Sequence, residues 1–87
     1  MEATQYIKPH IYRFNGIMET FAYNIVAKDV NEYLNGVHAK DVSYLNIPKV
    51  EEAIYYSTLN PKELTVEQLK AIADDIIDDI RRCEYEL

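Results

Sequence analysis

The chain has 87 residues, 48% of them apolar and 28% charged, with a formal net charge of −6. That length leaves no room for a second core, so one small globular domain over 1–87 is expected, and the composition is unlike that of a disordered chain. The charge argues against direct nucleic-acid binding, which needs a basic face to displace counterions, and favours a protein partner with a basic surface.

The N-terminal stretch MEATQYIKPH has neither the basic cap nor the apolar run of a signal peptide. No apolar stretch approaches the ~18 residues that a membrane span needs. Cys83 is the single cysteine, so no intrachain disulfide can form. The sequence therefore predicts a cytosolic protein without membrane association.

The first element signal is Asn15-Gly16, set between IYRF and IMETFAYNIV. Asn-Gly readily takes the positive φ angles of a type I′ turn, which predicts a β-hairpin. Pairing across it opposes Phe14 to Ile17, Tyr12 to Glu19 and His10 to Phe21. One face then carries Tyr12, Phe14, Ile17, Phe21, Tyr23 and Ile25, and the other Arg13, Thr20 and Asn24. Asp29, answered by Glu32 and followed by Gly36, predicts a short capped helix next.

A second periodicity runs through the same residues. Met18, Ala22, Ile25, Val26, Val30, Tyr33, Leu34 and Val37 would line one side of a single helix over 17–35, giving a small all-α bundle. The crowding of β-branched and aromatic residues over 17–26, with a cap pattern restarting at Asp29, favours the hairpin. The expected fold is α+β: an N-terminal hairpin or small antiparallel sheet with a short helix, packed against two C-terminal helices. The strings AKDVNEYLN at 27–35 and AKDVSYLN at 39–46 echo each other but are too short and too few for a solenoid. The second copy either extends the sheet through Val42, Tyr44 and Ile47 or resembles the first by chance.

Residues 48–57 read as a helix with Val50, Ala53, Ile54 and Ser57 on one side and Pro48 in its first turn. Asn60, Pro61 and Glu63 suggest a single turn at 61–64. The C-terminal helix is the most regular element. Val66, Leu69, Ala73, Ile76, Ile80 and Cys83 recur at spacings of three and four, widened by Ile72 and Ile77. Thr65 with Gln68 forms a capping box, and Leu64 with Leu69 a hydrophobic staple. Because the spacing is heptad-like and continues to Leu87, the same stripe could pair with a second copy in a homodimer.

On that helix lies DDIIDDIRR, residues 74–82. Asp74 and Asp78 are one turn apart, as are Asp75 and Asp79, and each such pair costs roughly 0.2–0.5 kcal/mol in an isolated helix. A solvated face is one explanation. Recognition is another: carboxylates at one-turn spacing, about 6 Å, approximate the phosphate spacing of a nucleic-acid strand and can dock in a basic protein groove. The string DDIID, at 74–78, also resembles the aspartate-rich motif of isoprenyl diphosphate synthases and terpene cyclases, which implies Mg²⁺ and a diphosphate. That resemblance covers five residues, and a chain of this length cannot enclose those enzymes' hydrocarbon pocket. No metal or other cofactor is expected.

Nucleophilic chemistry finds little footing. Cys83 lies on the apolar stripe near a helix C-terminus, whose dipole disfavours a thiolate, so it is expected to be a buried small hydrophobe. His10 and His38 have no ligand or base at useful spacing. The eight tyrosines carry more weight. Tyr55 and Tyr56 are consecutive on a helix and cannot share a face, and rigid aromatic rings suit interfaces. Tyr6 and Tyr44 share that expectation. The residues expected to bind a partner are Asp74, Asp75, Asp78, Asp79, Tyr55, Tyr56 and Tyr85, in a non-catalytic protein-binding module. A small acidic inhibitor or adaptor of the kind phages and mobile elements encode would have this size and charge, and self-association through the C-terminal helix is the alternative.

Overall fold

The computed structural model describes residues 5–8, 17–37, 42–59 and 65–87. Over these the chain forms three α-helices: α1, Ile17–Val37; α2, Ile47–Ser57; and α3, Val66–Arg81, with a one-turn 3-10 helix at Val42–Tyr44 ahead of α2. Each helix packs against the other two. Among the described residues there is no strand, and extended pairing is confined to one antiparallel bridge, Leu45 to Glu86. The fold is a small all-helical bundle. The expected α+β fold is thereby overturned, and the single-helix periodicity over 17–35 is the one the chain follows.

The reason lies in which spacing buries more. Ala22, Val26, Val30 and Leu34, four residues apart, are each at most 1% exposed and align along α1. They face Leu69, Ala73, Ile76 and Ile80 of α3, also buried, and Val50 and Ile54 of α2 close the core. Enclosing a Val or Leu side chain is worth roughly 1.5–3 kcal/mol. The whole range of strand propensities spans only about 1 kcal/mol and depends on context. The two-residue alternation fails on its own terms, since Phe21 is 59% exposed while Tyr23, on the same face of the imagined strand, is wholly buried. The Asn15-Gly16 turn and the first hairpin strand, with His10, Tyr12 and Phe14, lie outside the described residues. Residues 17–26, its second strand, are helical.

Two further expectations change with it. The capped helix at Asp29 does not start there, because α1 runs through it and continues past Gly36 to Val37. The strand through Val42, Tyr44 and Ile47 is instead the 3-10 turn followed by the first residue of α2. Where the two copies of the AKDV echo can be compared, their structure differs: residues 30–35 lie within α1, whereas Val42–Tyr44 form the 3-10 turn that leads to the Leu45 bridge.

α2 begins where Asn46 accepts a hydrogen bond from the Lys49 amide at 3.3 Å, with Pro48 in the first turn. Its inner side is Val50, Glu51, Ile54 and, just past its end, Thr58; Ser57 points to solvent. Buried Thr58 satisfies its hydroxyl by donating to the Ile54 carbonyl at 2.8 Å. α3 starts with the expected capping box, Gln68 N–H to Thr65 Oγ1 at 3.2 Å and Thr65 N–H to Gln68 Oε1 at 3.0 Å. The staple residue Leu64 and the turn at 61–64 lie outside the described residues.

α3 ends differently from expectation. Cys83 is exposed and adopts φ 63°, the left-handed conformation. Its amide bonds to the Ile80 carbonyl and the Glu84 amide to the Asp79 carbonyl, each at 3.0 Å, the two bonds of a Schellman cap whose pivot is usually glycine. The reversal sends the tail back across the 3-10 turn, where Asn46 N–H meets the Tyr85 carbonyl at 2.7 Å and Leu87 N–H the Tyr44 carbonyl at 2.9 Å. Cys83 therefore turns the chain, and the apolar stripe ends at Ile80.

The bundle is completed by an N-terminal strap, residues 5–8, whose Ile7 is fully buried among the helices.

Two substitutions test these backbone assignments. Gly36 has ordinary helical φ, and a methyl group there would meet nothing within 4 Å. Gly36→Ala should therefore stabilise the protein by about 0.5 kcal/mol in urea unfolding. Cys83→Gly should relieve the left-handed pivot and raise the melting temperature by on the order of a few degrees, whereas a buried stripe cysteine would lose packing and melt earlier.

Candidate functional site

The apolar stripe of α3 fixes the direction of its acids. With Leu69, Ala73, Ile76 and Ile80 turned inward, Asp74, Asp75 and Asp78 project into solvent. Asp79 stands apart from them. Its side chain is 28% exposed, and its Oδ1 accepts a 2.7 Å hydrogen bond from Arg82 Nη2, the single ion pair among the described residues. Its Oδ2 accepts from the Tyr85 hydroxyl at 3.2 Å. The Arg82 hydrogen bond, ahead of the Tyr85 bond and the Arg82 charge, holds the Asp79 carboxyl below its ordinary range against the opposing effect of burial. Arg82 is correspondingly held charged by Asp79.

Tyr85 is half-buried, and burial first, then the Asp79 charge, pushes its phenol up to about 12. It is a neutral donor at physiological pH. Of the four expected acidic contact residues, then, Asp79 is committed to closing the α3 terminus, and three face outward. A shallow concavity of about 410 Å³ lined by Asp78, Arg81 and Arg82 ends the strip on its C-terminal side, where the arginines make the surface mixed in sign.

The tyrosines divide similarly. Tyr55 packs half-buried against the core, and its ring meets that of Tyr56 edge to face with centroids 5.2 Å apart. Tyr56 is 64% exposed and is the one of the pair that offers its ring to solvent. Tyr85 is joined to the acidic strip through Asp79, while Tyr6 and Tyr44 pack partly against the core.

Cys83, although exposed, has its thiol pushed up by a hydrogen bond with Glu86 and by that residue's charge, which keeps it from becoming a ready nucleophile. His10 and His38 lie outside the described residues. Among the described residues no group of three or more His, Cys, Asp or Glu is placed to hold a metal ion, and no helix is long and apolar enough to cross a membrane.

Three polar residues, not singled out for binding from the sequence, line the inner side of α1 and α2. Tyr23 is fully buried, Glu51 is 5% exposed and Asn31 is half-buried, and all three bind the backbone of the N-terminal strap. The signal for Glu51 was its place between Val50 and Ile54 on the inner side of α2. A carboxylate within an apolar stripe implies a partner.

Comparison with protein-family models, with curated proteins and with solved structures finds no match to this chain.

The Tyr85–Asp79 contact has a pH signature. A phenol raised to about 12 from an ordinary value near 10 contributes stability that is fully present below pH ~10. It is lost as pH rises through ~12. Tyr85→Phe should therefore flatten part of the alkaline fall in melting temperature while slightly lowering stability at neutral pH. A variant with an unchanged alkaline limb would place the Tyr85 hydroxyl elsewhere.

Proposed function

We propose that the protein is a non-catalytic binding module that docks the acidic outer face of α3 onto a basic surface of another protein, as a small inhibitor or adaptor does. The observation that carries this reading is the outward projection of Asp74, Asp75 and Asp78 from a helix whose opposite side is anchored in the core. A rigid helix presents these charges at fixed spacing, so a complementary basic surface gains attraction without ordering a flexible segment. Tyr56, exposed on α2, supplies an aromatic anchor of the kind that interfaces favour. Asp79 and Tyr85 support the strip from behind by closing the helix end. The single cysteine and the absence of a membrane-length helix among the described residues suit a cytosolic setting.

Self-association through the α3 stripe has less to work with. The stripe's central residues Leu69, Ala73, Ile76 and Ile80 are filled by the chain's own α1 and α2, so a second copy would have to open the bundle to reach them.

Replacing Asp74, Asp75 and Asp78 together by Asn removes charge without touching the core. Folding stability should stay level or rise slightly, since the repulsion between Asp74 and Asp78 is relieved. Capture of basic proteins from a native lysate at low salt should fall by about tenfold or more, and high salt should erase the difference between variant and parent. Equal capture by both chains at low salt would refute the docking role.

A further inference from the structure

The N-terminal strap is held in the manner of a bound peptide. At Ile7 and Lys8 every main-chain polar group is matched by a side chain rather than by another main chain. The Ile7 amide donates to Asn31 Oδ1 at 2.7 Å, and Asn31 Nδ2 donates to the Ile7 carbonyl at 2.9 Å. The Lys8 amide donates to Glu51 Oε2 at 2.9 Å, and the Tyr23 hydroxyl donates to the Lys8 carbonyl at 3.2 Å. Asn31 is steadied in turn from one helical turn along, where Asn35 Nδ2 donates to its carbonyl at 2.8 Å.

Side chains thus offer the strap both donors and acceptors for its backbone and a pocket for one side chain, as a peptide-binding groove does. The pocket holds Ile7, which is fully buried, while Gln5 and Lys8 are exposed. Recognition thus rests on the main-chain groups of Ile7 and Lys8 and one branched aliphatic side chain. Glu51 lies almost wholly inside the protein beneath the strap, where an unmatched carboxylate is costly, so the groove is built for an occupant.

We propose that the groove formed by α1 and α2 is a peptide receptor whose occupant is exchangeable, so that residues 5–8 of one copy seat in the groove of a second copy. Nothing in the contacts depends on the covalent link between strap and helix. A strap from another copy presents the same isoleucine and the same four backbone groups. Exchange of an identical element keeps every contact and changes only the connectivity, which makes it an inexpensive route to a dimer.

The test mixes two full-length variants. Ile7→Asp spoils the strap and leaves the groove intact, whereas Asn31→Leu weakens the groove and leaves the strap intact. Each alone should run as a monomer in light scattering, and the mixture should form a one-to-one complex. A synthetic peptide covering residues 1–9, carrying a fluorophore, should bind the Ile7→Asp chain about tenfold or more tighter than the parent chain, whose groove is already filled. The same peptide with Ile7→Asp should not bind.

Should either variant lose its helices alone, their return on mixing supports the proposal. Peptide binding with a mixture that stays monomeric would overturn exchange between copies and leave the groove to the chain's own strap. An Ile7→Asp chain that neither binds the peptide nor regains helix with it would overturn the receptor altogether.

Discussion

The structure depends on the contact between two apolar stripes, Ala22, Val26, Val30 and Leu34 on α1 against Leu69, Ala73, Ile76 and Ile80 on α3. α3 on its own is a poor candidate for a stable helix, since aspartates crowd its outer side at one-turn spacing. Burial of the inner side outweighs that repulsion. Once the stripe is covered, rotation of α3 about its axis is no longer free, and the orientation of every outward carboxylate follows from it. The acids are displayed because the core is packed.

A small bundle of this kind must also close its ends. α2 is short, 11 residues, and depends on what surrounds it: an Asn46 cap at its start, the returning C-terminal tail beside that cap, and buried Thr58 folding its hydroxyl back at the end. The strap crosses α1 and α2 and fills the core with Ile7. These segments carry no regular structure of their own, yet the backbone groups of Ile7, Lys8, Asn46 and Leu87 find partners, as burial demands. Asp79 belongs to the same system, since Arg82 and Tyr85 hold both of its oxygens while the main chain reverses beside it.

How much of this could be read from the residues depended on whether the signal was local. The capping box of Thr65 and Gln68, the early position of Pro48 and the three-four spacing of α3 from Leu69 to Ile80 are set by neighbours within one turn, and they hold in the structure, whereas Val66, expected to open that stripe, is 69% exposed. The fate of residues 17–26 was not local. Ile, Phe, Tyr and Val there suit a strand, and only the complementary stripe roughly fifty residues away decides for helix. The twin strings show the same thing over their described residues, because residues 30–34 are helix while Val42–Tyr44 form a 3-10 turn. Cys83 misled for a different reason. Its spacing continued the stripe, but the chain needed a left-handed pivot there, and the residue that normally announces one is glycine. On the candidate site, periodicity placed Asp74, Asp75 and Asp78 correctly outward, while the capture of Asp79 by Arg82 and Tyr85 depends on a tail geometry that spacing does not encode.

The strap also bears on how the molecule breathes. Ile7 and Lys8 lie outside every helix, yet their amides are bonded to Asn31 and Glu51, the latter almost wholly interior. Backbone protons held this way trade with deuterated solvent only when the strap lifts, so two slow amides in a non-helical stretch record a detachment separate from the melting of α1 or α3. The difference in protection between those two protons and the α3 core amides measures directly how loosely the N-terminal clasp is fastened to an otherwise closed bundle.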